Sequence, residues 1–160
     1  METQKIGAKG QRGQEKVRPI LPDEIPGLFD MADMFFSESS FLVGFDRDVF
    51  VRSWTGFLDG GNGIIFVVEV AGIFVGALGA LKFQDPNNGN LIASELFWYV
   101  RPEHRGKGLD LLAAFENWAD DAGCQQKTMV YLTDSMPDQV KRIYERKGYR
   151  AMEIHYTKEN

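Results

Sequence analysis

Apolar residues fall into two kinds of pattern along this chain, and the switches between them predict its elements. Recurrence at three and four residues marks helices. Ile25, Leu28, Phe29, Ala32 and Phe36 recur this way after Asp23, a capping residue, with Pro26 and Gly27 tolerated only near the start. Val49, Phe50, Trp54, Phe57 and Leu58 mark a second helix over 46–58. Leu112, Phe115, Trp118, Ala119 and Ala122 mark a third over 109–122, with Gly123 as its stop. Val140, Ile143 and Tyr144 mark a fourth, opened by Pro137 and ended by Gly148.

Short apolar or alternating runs mark strands. They cover 17–21, 64–70, 73–83, 91–100, 128–133 and 149–157. Ala71-Gly72 and the run Asp85-Pro86-Asn87-Asn88-Gly89-Asn90 are turn signals, so the second, third and fourth strands form an antiparallel meander. Gly76 and Gly79 inside the third strand point to a bulge or a close approach. The order predicts an α+β (mixed α/β) fold: a mixed, mostly antiparallel twisted sheet of about six strands, flanked by about four helices.

Composition narrows the class. The chain has 160 residues, 44% hydrophobic and 26% charged, which fits one globular domain and excludes a disordered or low-complexity chain. Cys124 is the single cysteine, and with two histidines it builds no zinc site of usual spacing, so no metal is expected. No apolar run approaches the ~20 residues of a membrane span. The expectation is a cytoplasmic protein without a membrane partner. Net charge is −5, yet residues 1–18 hold Lys5, Lys9, Arg12, Lys16 and Arg18 against Glu2 and Glu15. The organisation expected is a basic arm over 1–16 and a single domain over 17–160. The acidic body argues against nucleic acid as a partner.

One segment carries candidate chemistry. Val100-Arg101-Pro102-Glu103-His104-Arg105-Gly106-Lys107-Gly108-Leu109-Asp110 runs from a strand through a glycine loop into a helix. Helix N–H groups and loop amides would converge there on an anion, with Arg105 and Lys107 adding charge. The alternative is a tightly turned helix start with solvated basic residues. Neither the P-loop nor the dinucleotide glycine pattern is met, since Leu111 stands where the latter needs its third glycine.

The loop Arg105-Gly106-Lys107-Gly108-Leu109 behind Val100-Arg101-Pro102, with Tyr144-Glu145 and Gly148-Tyr149 near the end, resembles the GCN5-related N-acetyltransferase (GNAT) superfamily. The resemblance covers residue 17 to the end. It implies acetyl-CoA as co-substrate, held in a cleft where strands four and five splay, and direct acetyl transfer to an amine. Carried over residue by residue, it puts pyrophosphate on Arg105, Gly106, Lys107, Gly108, Leu109 and Asp110. It puts the pantetheine and thioester carbonyl on backbone near Tyr99 and Val100, and it offers Asp134 as a pantetheine contact. Asp110 departs from the family's small residue, and its carboxylate would repel a phosphate beside it.

The same resemblance makes Tyr144 the general acid for the departing thiolate; the plain alternative is a core aromatic. Glu95 is the one acidic residue of the fourth strand and the candidate general base, against an ordinary paired carboxylate. It stands one residue off the register seen in the histone-acetylating branch, which matters unless a bulge intervenes. The acceptor is open: a small-molecule or peptide amine, drawn by acidic residues such as Asp46, Asp48, Asp59 and Asp85. The resemblance leaves room for a homodimer. Two other readings stand beside it: a non-catalytic acyl-CoA-binding protein, and a protein- or nucleic-acid-binding factor acting through the basic arm.

Overall fold

The computed structural model describes residues 16–38 and 44–158. The basic arm, apart from Lys16, lies outside the described residues, as do 39–43. The elements are β1 (Lys16–Pro19), α1 (Phe29–Glu38), α2 (Arg47–Asp59), β2 (Gly63–Val70), β3 (Ile73–Gln84), β4 (Leu91–Val100), α3 (Gly108–Asp121), β5 (Gln126–Thr128) and α4 (Pro137–Arg146). Among the described residues, one sheet has the order β1-β2-β3-β4-β5, with only the β4–β5 pair parallel.

Local chemistry explains where the helices begin. The helix expected from Asp23 is instead a 3-10 turn over Pro22–Leu28 that passes into α1. Pro26 has no N–H to give an α-helical ladder, so the first turn takes the tighter form. Glu24, not Asp23, closes its start by accepting from Leu21 N–H at 2.9 Å. Asp46 caps α2, accepting from Val49 N–H at 2.9 Å.

The sheet is covered on both faces. Ile65, Val67 and Ala77 pack against Ile25, Leu28, Met31 and Trp54 on the α1/α2 side. Phe66, Val68, Val75, Leu78, Ala80 and Ala93 pack against Leu111, Leu112, Phe115 and Ala119 of α3 on the other. The close approach expected in β3 is real: a Cβ on Gly79 would collide with the Phe97 ring and lie 2.7 Å from Trp54. The bulge is real too: Val68 pairs with Gly76 and Glu69 with Phe74, so Val75, beside Gly76, is an extra residue of β3. A second bulge, against β3, has its extra residue in β4. Gly79 pairs with Phe97 and the next residue, Ala80, with Glu95, so Leu96 has no partner.

Two strand expectations need correction. The fifth strand covers Gln126–Thr128 rather than 128–133, and 149–157 is not a strand. The sheet therefore has five strands among the described residues, not about six. The cause in both cases is pairing. β4 and β5 are in register only through Ser94 and Thr128, just before the bulge turns β4 aside. Beyond that point 129–133 has no ladder, and it offers 149–157 no edge. The alternating Met152, Ile154 and Tyr156 are consequently 67%, 77% and 94% exposed. Among the described residues, no helix is long and apolar enough to cross a membrane.

Candidate active site

The Leu96 bulge reverses the phase of β4. Ala93 faces the α3 side, and without the extra residue Glu95 would be followed on that face by Phe97 and Tyr99. Instead Trp98 and Val100 pack on the α3 side, while Phe97 and Tyr99 pack against α1 and α2. Glu95 thus shares a face with Trp98 and with Tyr144 of α4. Here the sheet is splayed, because the β4–β5 ladder has just ended.

Into this gap project the two side chains singled out as catalytic. Glu95 is 3% exposed, and its Oε2 accepts from Val130 N–H at 2.8 Å. Burial pushes its carboxyl up to about 7, against the opposing pull of that hydrogen bond. Tyr144 is 9% exposed and donates its hydroxyl to Val130 C=O at 2.7 Å. Burial first, and the nearby Glu95 carboxylate second, push the phenol above its ordinary range, so it remains protonated. Its ring centroid lies 6.3 Å from that of Trp98.

Two adjoining cavities follow the splay. One of about 70 Å³ is lined by Glu95, Leu96, Phe97, Val130, Leu132 and Tyr144. The other, of about 150 Å³, is lined by Tyr99, Val100, Arg105, Gly108, Leu109, Met136, Gln139 and Ile143, with Glu38 at its rim. Phe35, Trp98, Ser135 and Val140 line both. The structure therefore brings together Tyr144, Glu95, Tyr99, Val100, Arg105, Gly108 and Leu109. Gly106 and Asp110 are exposed beside the larger cavity's wall, and Lys107 is half-buried, but none of the three lines it.

Asp134 is exposed and lines neither cavity; its neighbour Ser135 lines both. Sequence reasoning missed Ser135, Phe35 and Trp98. Trp98 is the informative omission. A Cβ on Gly108 would lie 3.1 Å from its Cζ2, so the indole lies tight over the first residue of α3 and would have to shift for any side chain there. The Trp98 Nε1 and the Tyr99 hydroxyl are buried without a partner, one on each face of β4. Orphaned donors at a cavity wall are expected where a ligand supplies the acceptor.

The loop into α3 is a 3-10 helix over Pro102–Lys107 whose last turn closes with Gly108 N–H donating to Arg105 C=O. Arg105 and Lys107 gather positive charge at the amino end of α3, and Asp110 lies in its first turn. Such an end attracts anions. Among the described residues, no cluster of His, Cys, Asp and Glu could hold a metal ion.

A model of the acetyltransferase (GNAT) family matches residues 27–149. No curated protein sequence matches the chain significantly. Solved structures share the fold at low identity. A predicted acetyltransferase from Clostridium acetobutylicum, solved with acetyl-CoA, superposes with TM-score 0.75 at 14% identity, over 92% of this chain and 96% of that one. An aminoglycoside N-acetyltransferase bound to a CoA–acetylneamine bisubstrate analogue gives 0.71 at 18%, over 92% and 99%. A ribosomal-protein-alanine N-acetyltransferase from Brucella melitensis biovar Abortus 2308 gives 0.69 at 16%, over 91% and 99%. With the family matched from β2 to β5, across the glycine loop and the Tyr144 helix, the chain belongs to the GNAT acetyltransferase family.

Proposed function

We propose that the protein is an N-acetyltransferase that moves the acetyl group of acetyl-CoA onto a primary amine by direct attack in a ternary complex. The observation that carries this reading is the splay after Ser94 and Thr128, with the Tyr144 hydroxyl inside it. Where the ladder ends, β4 backbone from Leu96 to Val100 faces a cavity instead of a strand. The amides of a pantetheine arm can pair with such an edge as a strand would.

The remaining groups fit the rest of the molecule. Arg105 and Lys107, with the amides of Gly106, Gly108, Leu109 and Asp110, suit a pyrophosphate at the start of α3. The Gly108 N–H would exchange the Arg105 carbonyl for a charged oxygen. Trp98 Nε1 and the Tyr99 hydroxyl are donors awaiting acceptors along the arm. On the pantetheine side, Ser135 takes the place expected of Asp134. Asp110 favours the helix end when no anion is bound and opposes one that is.

In the reaction the amine, free of its extra proton, attacks the thioester carbon. The carbon–sulfur bond breaks, and the sulfur takes the Tyr144 hydroxyl proton. The proton lost from nitrogen as the amide forms restores the phenol. Burial keeps the Tyr144 hydroxyl protonated, so a proton is in place to be passed on as the carbon–sulfur bond breaks. The acceptor is an amine whose identity a panel must supply: aminoglycosides, polyamines, amino sugars and peptide N-termini. The test is mass spectrometry of that panel after incubation with acetyl-CoA. The expected result is an N-acetylated product from at least one member. CoA binding with no acetylated product from any of them would favour a non-catalytic CoA-binding protein.

A further inference from the structure

Val130 is held by side chains on both sides of its backbone. Its N–H donates to Glu95 Oε2 at 2.8 Å, and its C=O accepts from the Tyr144 hydroxyl at 2.7 Å. In a regular parallel pair both groups would be used by neighbouring strands. Here the last paired residues are Ser94 and Thr128, so Val130 sits two residues past the end of the ladder. The Leu96 bulge takes the β4 backbone away at that level. Glu95, on the face of Ala93, lies just before that bulge, where its carboxylate can fill the place of the lost strand.

We propose that Glu95 is a positioning residue: its carboxylate stands in for the missing ladder partner of Val130, fixes the width of the splay, and so sets where the Tyr144 hydroxyl stands. This rests on the acetyltransferase reading but assigns Glu95 a task different from proton removal. A general base must reach the acceptor nitrogen. Oε2 is committed to a backbone amide, and the group is 3% exposed. The hydrogen bond needs an acceptor oxygen, not a negative charge. The surroundings agree. Across the sheet β3 offers Ala80, which is apolar, and α4 offers Tyr144. Val130, beyond β5, offers its amide, and no cation appears among the groups that shift Glu95.

Two variants and two measurements separate the roles. Glu95→Gln keeps an acceptor oxygen for Val130 N–H and cannot act as a base. Its kcat should stay within about tenfold of wild type, whereas loss of a general base costs about 10²–10⁴-fold. Glu95→Ala removes the acceptor and should lower kcat by about 10²-fold or more through misplacement of Tyr144. A Gln variant that loses more than tenfold overturns the proposal. The second measurement needs no turnover. The amide signal of Val130 in a nitrogen–proton correlation spectrum should titrate with the Glu95 carboxyl in the wild-type protein and stay still in Glu95→Gln. A Val130 amide that ignores pH in wild type, or moves equally in the variant, overturns it. If no amine is acetylated, this titration still decides whether Glu95 holds Val130, and the acetyltransferase reading fails separately.

Discussion

Glu95 and Gly108 show how much a single position carries in this cleft. Burial lifts the Glu95 carboxyl to about 7, well above its value in an unfolded chain. Between about 4.5 and 7 the folded state holds a proton that the unfolded state has lost, so this group makes stability fall as pH rises through that window. Glu95→Gln removes the penalty. Its melting temperature relative to wild type should therefore rise from pH 5 to pH 8, and a constant difference would show that Glu95 is not raised. At Gly108, the Trp98 ring leaves a side chain little room. Gly108→Glu adds bulk under the indole and a negative charge at the anion end of α3. Calorimetry should find CoA binding abolished; unchanged affinity would remove the loop from the cofactor site.

At the scale of elements, the decisive feature is one unpaired residue. Gly79 lies under the Phe97 ring and against Trp54, directly across from the Leu96 bulge. Gly79→Ala should cost about 1–3 kcal/mol through overpacking, read as a lower urea midpoint with unchanged slope. A neutral effect would mean that the two rings shift freely. This region also shows what was legible beforehand. The limits of β4 were readable because Asn-rich turn residues precede Leu91 and Pro102 follows Val100. Gly76 marked the bulge at Val75 in β3, but the bulge that shapes the cleft has Leu96 as its extra residue, whose side chain carries no such mark. The end of β5 was hidden for the same reason: 129–133 has strand composition, and only its partner's bulge deprives it of a ladder. The alternation at Met152, Ile154 and Tyr156 misled because periodicity gives a strand two faces and says nothing of an edge to pair with. The anion loop and Tyr144 were readable as local motifs. Trp98, Phe35 and Ser135 were not, since their role comes from where three separate elements meet.

At the scale of the whole molecule, the sheet is closed at β1 and opened beyond β5. Its closed edge is tied by Arg18, which bridges Glu24 at 2.7 Å and Glu69 at 2.8 Å, joining β1, the first 3-10 turn and β2. The guanidinium hydrogen bonds hold Glu24 down to about 2. That contribution is complete above the ordinary glutamate range and is lost as pH falls from about 4.5 towards 2. Arg18→Met should therefore lower the melting temperature at pH 7 and narrow its gap to wild type by pH 2.5; an equal gap at both would show that the bridge adds no charge-dependent stability. The open edge is where the acetyl-transfer account stands or falls, and Tyr144→Phe tests it most directly. The variant keeps the ring between Trp98 and Tyr149 and removes one hydroxyl. Losing the bond to Val130 C=O should cost about 1 kcal/mol of stability. The measurement is the rate of thiol release from saturating acetyl-CoA with an accepted amine, alongside CoA affinity. The account predicts a fall of about 10²–10⁴-fold in rate with affinity unchanged; full turnover in Tyr144→Phe would contradict it.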